Sequence, residues 1–121
     1  MGSFRDLIVY RKAFKLALDI FHETKKFPKE EMFSLTDQIR RSSRSVCSCI
    51  GEGYRKRKRY PKHFVSKLTD ADSENTETEV WTDISLSCKY ISREKYNQWI
   101  AEAEEVGRLL NHMMDNPGKF T

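Results

Sequence analysis

Long apolar runs are missing from this 121-residue chain: no stretch approaches the roughly 20 apolar residues that a membrane span requires. The segment from Met1 to Asp6 lacks the apolar core of a secretory signal, so a cytoplasmic protein with no membrane partner is expected. Cysteine is scarce and odd in number. Cys47, Cys49 and Cys88 are the three, and without a secretory context they read as reduced thiols rather than a disulfide framework. Cys47 and Cys49 stand two apart on a predicted helix, about 200° round from each other, so they suit core packing better than a shared ion. The histidines His22, His63 and His112 are scattered, with no His-Glu-x-x-His and no cysteine–histidine spacing for zinc, and each reads as a surface residue. Glu-x-x-His pairs of the di-iron bundle type are absent too. Gly51-Glu52-Gly53 lacks the Lys-Ser/Thr ending and preceding strand of a phosphate loop, and is read as a helix end. These gaps leave no catalytic constellation, so no metal, no cofactor and no small-molecule substrate are expected.

Helical periodicity is what the chain has in quantity. Apolar residues make up 38% and charged ones 33%, too apolar for disorder and too charged for a membrane protein. A single domain spanning 1–121 is the expectation at this length. Between Asp6 and Lys26, Tyr10, Ala13, Phe14, Ala17, Ile20 and Phe21 recur at three- and four-residue steps and are predicted to line one inward face. Pro28 closes this first helix. Ser34 is positioned to cap a second, with Asp37 three residues on, and Leu35, Ile39, Ser42, Val46, Ile50 and Gly53 form its stripe to about Tyr54. The small residues in that stripe imply a neighbouring backbone close by. Pro61 suits the first turn of a third helix, whose inward positions run Phe64, Leu68, Ala71, Asn75, Thr78 and Thr82. Its apolar character moves round to Val80, Trp81 and Ile84, so a second covered face, a contact between copies of the chain, is expected there. Ser92 caps a fourth helix, with Tyr96, Trp99, Ile100, Ala103, Val106, Leu110 and Met114 in phase until Asn116-Pro117-Gly118. Four helices with short connections and no alternating strand pattern give an all-α, antiparallel up-down four-helix bundle.

Charge is divided unevenly along the chain. From Arg40 to His63, nine basic residues (Arg40, Arg41, Arg44, Arg55, Lys56, Arg57, Lys58, Arg59 and Lys62) face the one acid Glu52, a local +8 in a chain of net +4. The remainder therefore carries −4, with Asp70, Asp72, Glu74, Glu77, Glu79 and Asp83 on helix three. An unbroken run from Arg55 to Arg59 between Tyr54 and Tyr60 repels itself unless an anion neutralises it, and nucleic-acid phosphate is the obvious anion. Solvated surface with no partner is the competing reading of the same run. The acidic stripe reads as solvated or paired with basic side chains, with metal binding as its alternative.

Five segments together carry a resemblance. Phe4-Arg5-Asp6-Leu7-Ile8-Val9-Tyr10-Arg11-Lys12-Ala13, Leu35-Thr36-Asp37-Gln38-Ile39-Arg40-Arg41-Ser42, Ile50-Gly51-Glu52-Gly53-Tyr54, Glu77-Thr78-Glu79-Val80-Trp81 and Asn116-Pro117-Gly118-Lys119-Phe120 closely resemble the four-helix-bundle proteins encoded by intervening sequences within bacterial 23S rRNA genes. The resemblance covers nearly the whole chain. It implies an antiparallel four-helix bundle that assembles as a homopentameric, barrel-like ring in the bacterial cytoplasm. It also brings in the accessory protein of diversity-generating retroelements, a basic pentamer that engages a reverse transcriptase and nucleic acid. Arg41 and Glu52 match positions of the family, where an ion pair, a subunit contact or a binding role all suit them. Cys49 and Gly51 depart from the usual Asn and Ala of an Asn-Ile-Ala-Glu-Gly segment, and Cys47 from a frequent Pro. The function expected is a non-catalytic homo-oligomer that binds nucleic acid, RNA in preference, or a ribonucleoprotein. The alternative is a protein–protein scaffold.

With no ligand set of the right types and spacing, chelation by EDTA is expected to leave the melting temperature unchanged. A fall of several degrees on chelation would reveal a metal site among the helix-three carboxylates.

Overall fold

The computed structural model describes residues 2–120; Met1 and Thr121, the ends of the expected domain, lie outside the described residues. Four helices follow one another: α1 over Ile8–Glu23, α2 over Leu35–Lys56, α3 over Pro61–Ser87 and α4 over Arg93–Asp115. Each packs against the next and α1 closes against α4, so the chain is an antiparallel up-down four-helix bundle with no strand among the described residues.

The core comes in two apolar clusters. Val9, Ala13, Val46, Ile50, Phe64, Leu68, Ala71, Val106, Leu110 and Met113 fill one end. Leu16, Ile20, Phe27, Leu35, Ile39, Ile91, Trp99 and Ala103 fill the other. Along the buried face of α3, which meets α2 and α4, lies a stripe of small polar residues. Ser42 and Thr78 share a hydrogen bond of 2.8 Å between their hydroxyls, and Asn75 Nδ2 donates to the Ala103 carbonyl at 2.8 Å. Thr82 and Ser85 turn their hydroxyls back on the carbonyls of Thr78 and Trp81, both at 2.8 Å. Each of these side chains is thereby satisfied, which removes the desolvation penalty an unpaired one would carry, whereas the buried Thr36 hydroxyl on α2 has no partner among the described residues. At the Trp99 end, Asp19 Oδ2 accepts from the indole Nε1 at 2.6 Å and from Lys95 Nζ at 3.2 Å, tying α1 to α4.

Several expectations need correction. The inward face of α1 is Val9, Ala13, Leu16 and Ile20; of the predicted stripe, Tyr10, Ala17 and Phe21 are only half-buried and Phe14 is 46% exposed. Two apolar stripes overlap on α1, and contact with α2 and α4 selects the one built on Val9 and Leu16. Helix α1 ends at Glu23 and passes into a 3-10 turn over Thr24–Lys26, ahead of Pro28. Ser34 occupies the N-cap position of α2, but its hydroxyl donates to Glu31 Oε1 at 2.6 Å instead of capping a backbone amide. Gly51-Glu52-Gly53 lies inside α2, which continues to Lys56. These glycines serve close approach rather than termination. A Cβ on Gly53 would meet Lys67 Cβ at 2.9 Å and the Phe64 carbonyl at 3.3 Å, whereas one on Gly51 would meet the Phe4 ring at 3.4 Å. The inward positions of α2 and of α3 to Thr82 are buried as read from the sequence, and Ser92 caps α4 by accepting from Lys95 N at 3.0 Å.

The two glycines separate in a simple experiment. Gly53→Ala drives a methyl group against Lys67 Cβ and the Phe64 carbonyl of α3 and is expected to cost about 1–3 kcal/mol. Gly51→Ala meets only an aromatic ring, and removing glycine from a helix interior returns up to about 1 kcal/mol, so its stability is expected to hold or rise. Equal losses in urea titrations of the two variants would contradict this account of the α2–α3 contact.

Candidate nucleic-acid interface

The nine basic residues read from the sequence fall into distinct settings. Arg55 and Lys56 occupy the last turn of α2, where cationic side chains offset the partial negative charge of the helix C-terminus. Arg57 caps the helix, and its guanidinium turns back to stack over the Tyr54 ring at 3.8 Å while Nη1 donates to the Tyr54 carbonyl at 2.9 Å. Lys58, Arg59 and Tyr60 are exposed in the turn to α3, and Lys62 is exposed in the first turn of that helix. Among the described residues, no carboxylate comes within 4.0 Å of Arg55, Lys56, Arg57, Lys58, Arg59 or Lys62.

Arg40, Arg41 and Arg44 stand apart from this turn. Arg40 is fixed on the C-terminal end of α1, with Nε donating to Thr24 Oγ1 at 2.8 Å and Nη2 to the Phe21 carbonyl at 3.4 Å. Arg41 pairs along its own helix with Asp37 at 3.9 Å, an exposed contact of little energetic weight. Arg44 is exposed, lies over the Phe21 ring at 5.6 Å, and has no carboxylate partner among the described residues. Glu52, matched by family resemblance along with Arg41, pairs with Lys67 at 2.9 Å and so bridges α2 to α3.

The two tyrosines that bracket the basic run take different parts. Tyr54 is half-buried under Arg57, whereas Tyr60 is 51% exposed and stacks on His63, with ring centroids 5.6 Å apart and planes at 22°. An exposed aromatic pair beside unpaired cations is the arrangement that lets a nucleobase stack while phosphates meet lysine and arginine.

Val80 and Ile84, expected at a contact between copies, are 46% and 38% exposed. Trp81 is half-buried against the Trp99 cluster, with its Nε1 donating to Glu77 Oε1 at 3.2 Å. On this flank Glu74 is held above the usual carboxylate range by burial and then by Glu77 beside it. Burial also raises Glu79 on the α4 side, followed by the charges of Glu104, Asp83 and Asp72. The Cys47 thiol is pushed up to about 11 by burial, which keeps it protonated and unreactive at neutral pH.

One feature escaped the sequence reading. Tyr10, Phe14, Ala17, Leu18 and Phe21 of α1, with Arg44 and Cys47 of α2, enclose an open apolar groove of about 320 Å³. Its signal was the second stripe on α1, in which Leu18 joins residues assigned to the core.

The comparisons with known proteins agree with this architecture. A crystal structure of a protein with unknown function from the S23 ribosomal protein family of Bacteroides thetaiotaomicron is 29% identical, covers 89% of this chain and 96% of that one, and superimposes with a TM-score of 0.80. No curated protein matches the chain. The family described as 23S rRNA-intervening sequence protein matches residues 5–112, nearly the whole bundle. The chain belongs to the 23S rRNA-intervening sequence protein family.

Proposed function

We propose that this bundle is a non-catalytic, self-associating module of the bacterial cytoplasm that binds single-stranded nucleic acid, RNA in preference, through the turn between α2 and α3. The observation that carries the reading is the set of cations with no carboxylate partner among the described residues, Arg55, Lys56, Lys58, Arg59 and Lys62, in and beside the turn that leads into the exposed Tyr60–His63 pair. Like charges held together on an ordered turn lose free energy by mutual repulsion, and a polyanion relieves it. Phosphate contacts of this kind supply affinity without reading sequence. Resemblance to the family makes five copies the expected assembly, which would multiply a weak single turn into a multivalent surface. A protein–protein scaffold is the second reading, favoured by the unpaired apolar groove on α1.

If each turn neutralises about five phosphates, the logarithm of affinity for single-stranded RNA is expected to fall with the logarithm of salt at a slope near −3.5, about −0.7 per contact. Replacing Arg55, Lys58, Arg59 and Lys62 together with Ser should flatten the slope and leave the circular dichroism unchanged. A wild type without salt-sensitive binding, or a Ser variant that falls apart as an oligomer, gives the scaffold reading. Tyr60→Ala is expected to weaken single-strand binding about tenfold, from a stacking contribution of about 1–3 kcal/mol per base, with duplex binding unaffected. Equal losses on both substrates would remove stacking from the account.

A further inference from the structure

Two unpartnered surfaces on this chain are opposite in charge and alike in apolar character. The first is the groove between α1 and α2, floored by Phe14 and Leu18, each 46% exposed, and bordered by Arg44. The second is the flank of α3 where Val80 and Ile84 are exposed beside Trp81 and the carboxylates of Glu74 and Glu77. From these, and resting on the self-association proposed above, we infer that the α1–α2 groove of one copy receives the Glu77/Val80/Trp81/Ile84 flank of α3 from the next.

Charge complementarity selects the occupant. Arg44 has no carboxylate in its own chain among the described residues, and Glu77 has no cation. Glu74 is raised by burial and by its neighbour Glu77, and Arg41 of the same chain offsets this only in part, so an incoming guanidinium relieves the repulsion that remains. A nucleic acid suits the groove poorly, because its floor is aliphatic as well as aromatic and Arg44 alone contributes charge to its lining.

The inference also divides the basic residues: Arg44 serves assembly, and the α2–α3 turn is left free for nucleic acid.

The test is a charge exchange read by sedimentation equilibrium. Wild type is expected to self-associate at micromolar concentration. Arg44→Glu and Glu77→Arg should each weaken association at least tenfold with unchanged circular dichroism, since Arg44 is exposed and Glu77 half-buried at the surface. The double variant Arg44→Glu/Glu77→Arg should reassemble, because every contact of the assembly, whatever its number of copies, then has the same pair with its charges exchanged. Leu18→Ser, which leaves every charge in place, should weaken assembly to a similar degree. Single variants that assemble like wild type, or a double variant that stays dissociated with unchanged circular dichroism, would overturn this pairing while self-association stands. A monomeric wild type would overturn self-association itself.

Discussion

The close approach of α2 to α3 is the constraint on which the rest of the bundle depends. Gly53 admits the Phe64 carbonyl and the Lys67 stem, and beside it Ser42 and Thr78 meet hydroxyl to hydroxyl. Where the two helices come nearest their contact is made by glycine, serine and threonine, and Val46, Ile50, Phe64 and Leu68 fill the cluster at the end of the bundle beside it. Small buried side chains contribute little apolar area, at about 25 cal/mol per Å² removed from water. Each polar one must also be hydrogen-bonded in place, as Asn75, Thr82 and Ser85 are.

Apolar side chains also lie outside the core. Phe14, Leu18, Val80 and Ile84 stand off the buried stripes of α1 and α3, and all four remain substantially exposed. Exposed apolar side chains in contiguous groups mark contact surfaces, whether for a protein, a membrane or a ligand. The same tight seam brings the C-terminus of α2 and the N-terminus of α3 into one short turn, where Arg57 folds back over Tyr54 and its neighbours point outward. The two proposals therefore draw on different parts of one fold: the bundle's middle carries exposed apolar residues beside Arg44 on one flank and beside Glu77 on the other, and one end carries cations with no carboxylate partner among the described residues.

Much of this was legible in the sequence. The inward registers of α2 and α3 followed from helical spacing, even where the positions held Ser, Gly, Asn and Thr, because the phase set by Leu35, Ile39, Val46 and Ile50 on α2 and by Phe64, Leu68 and Ala71 on α3 carries on through them. On α1 two phases fitted equally well, and Val9 and Leu16 displaced Tyr10 and Phe14 from the core only through contacts with distant helices. Local rules misled at Ser34, whose hydroxyl Glu31 claims, and at Gly51 and Gly53, where close packing rather than helix termination explains the residue type. The basic run was plain, but which tyrosine it leaves free was not. That depended on Arg57 turning back on Tyr54, a contact three residues apart whose direction the sequence does not specify.

The account stands most directly on where a bound strand touches the protein. Thiouridine-substituted single-stranded RNA, photocrosslinked to the assembled wild-type protein and mapped by mass spectrometry of the peptides, reads that out. Crosslinks are expected in the turn and first turn of α3, at Lys58, Tyr60, Lys62 and His63, with none on the groove residues Phe14, Leu18 and Phe21. Crosslinks concentrated in the groove, or on α4 away from the turn, would contradict it.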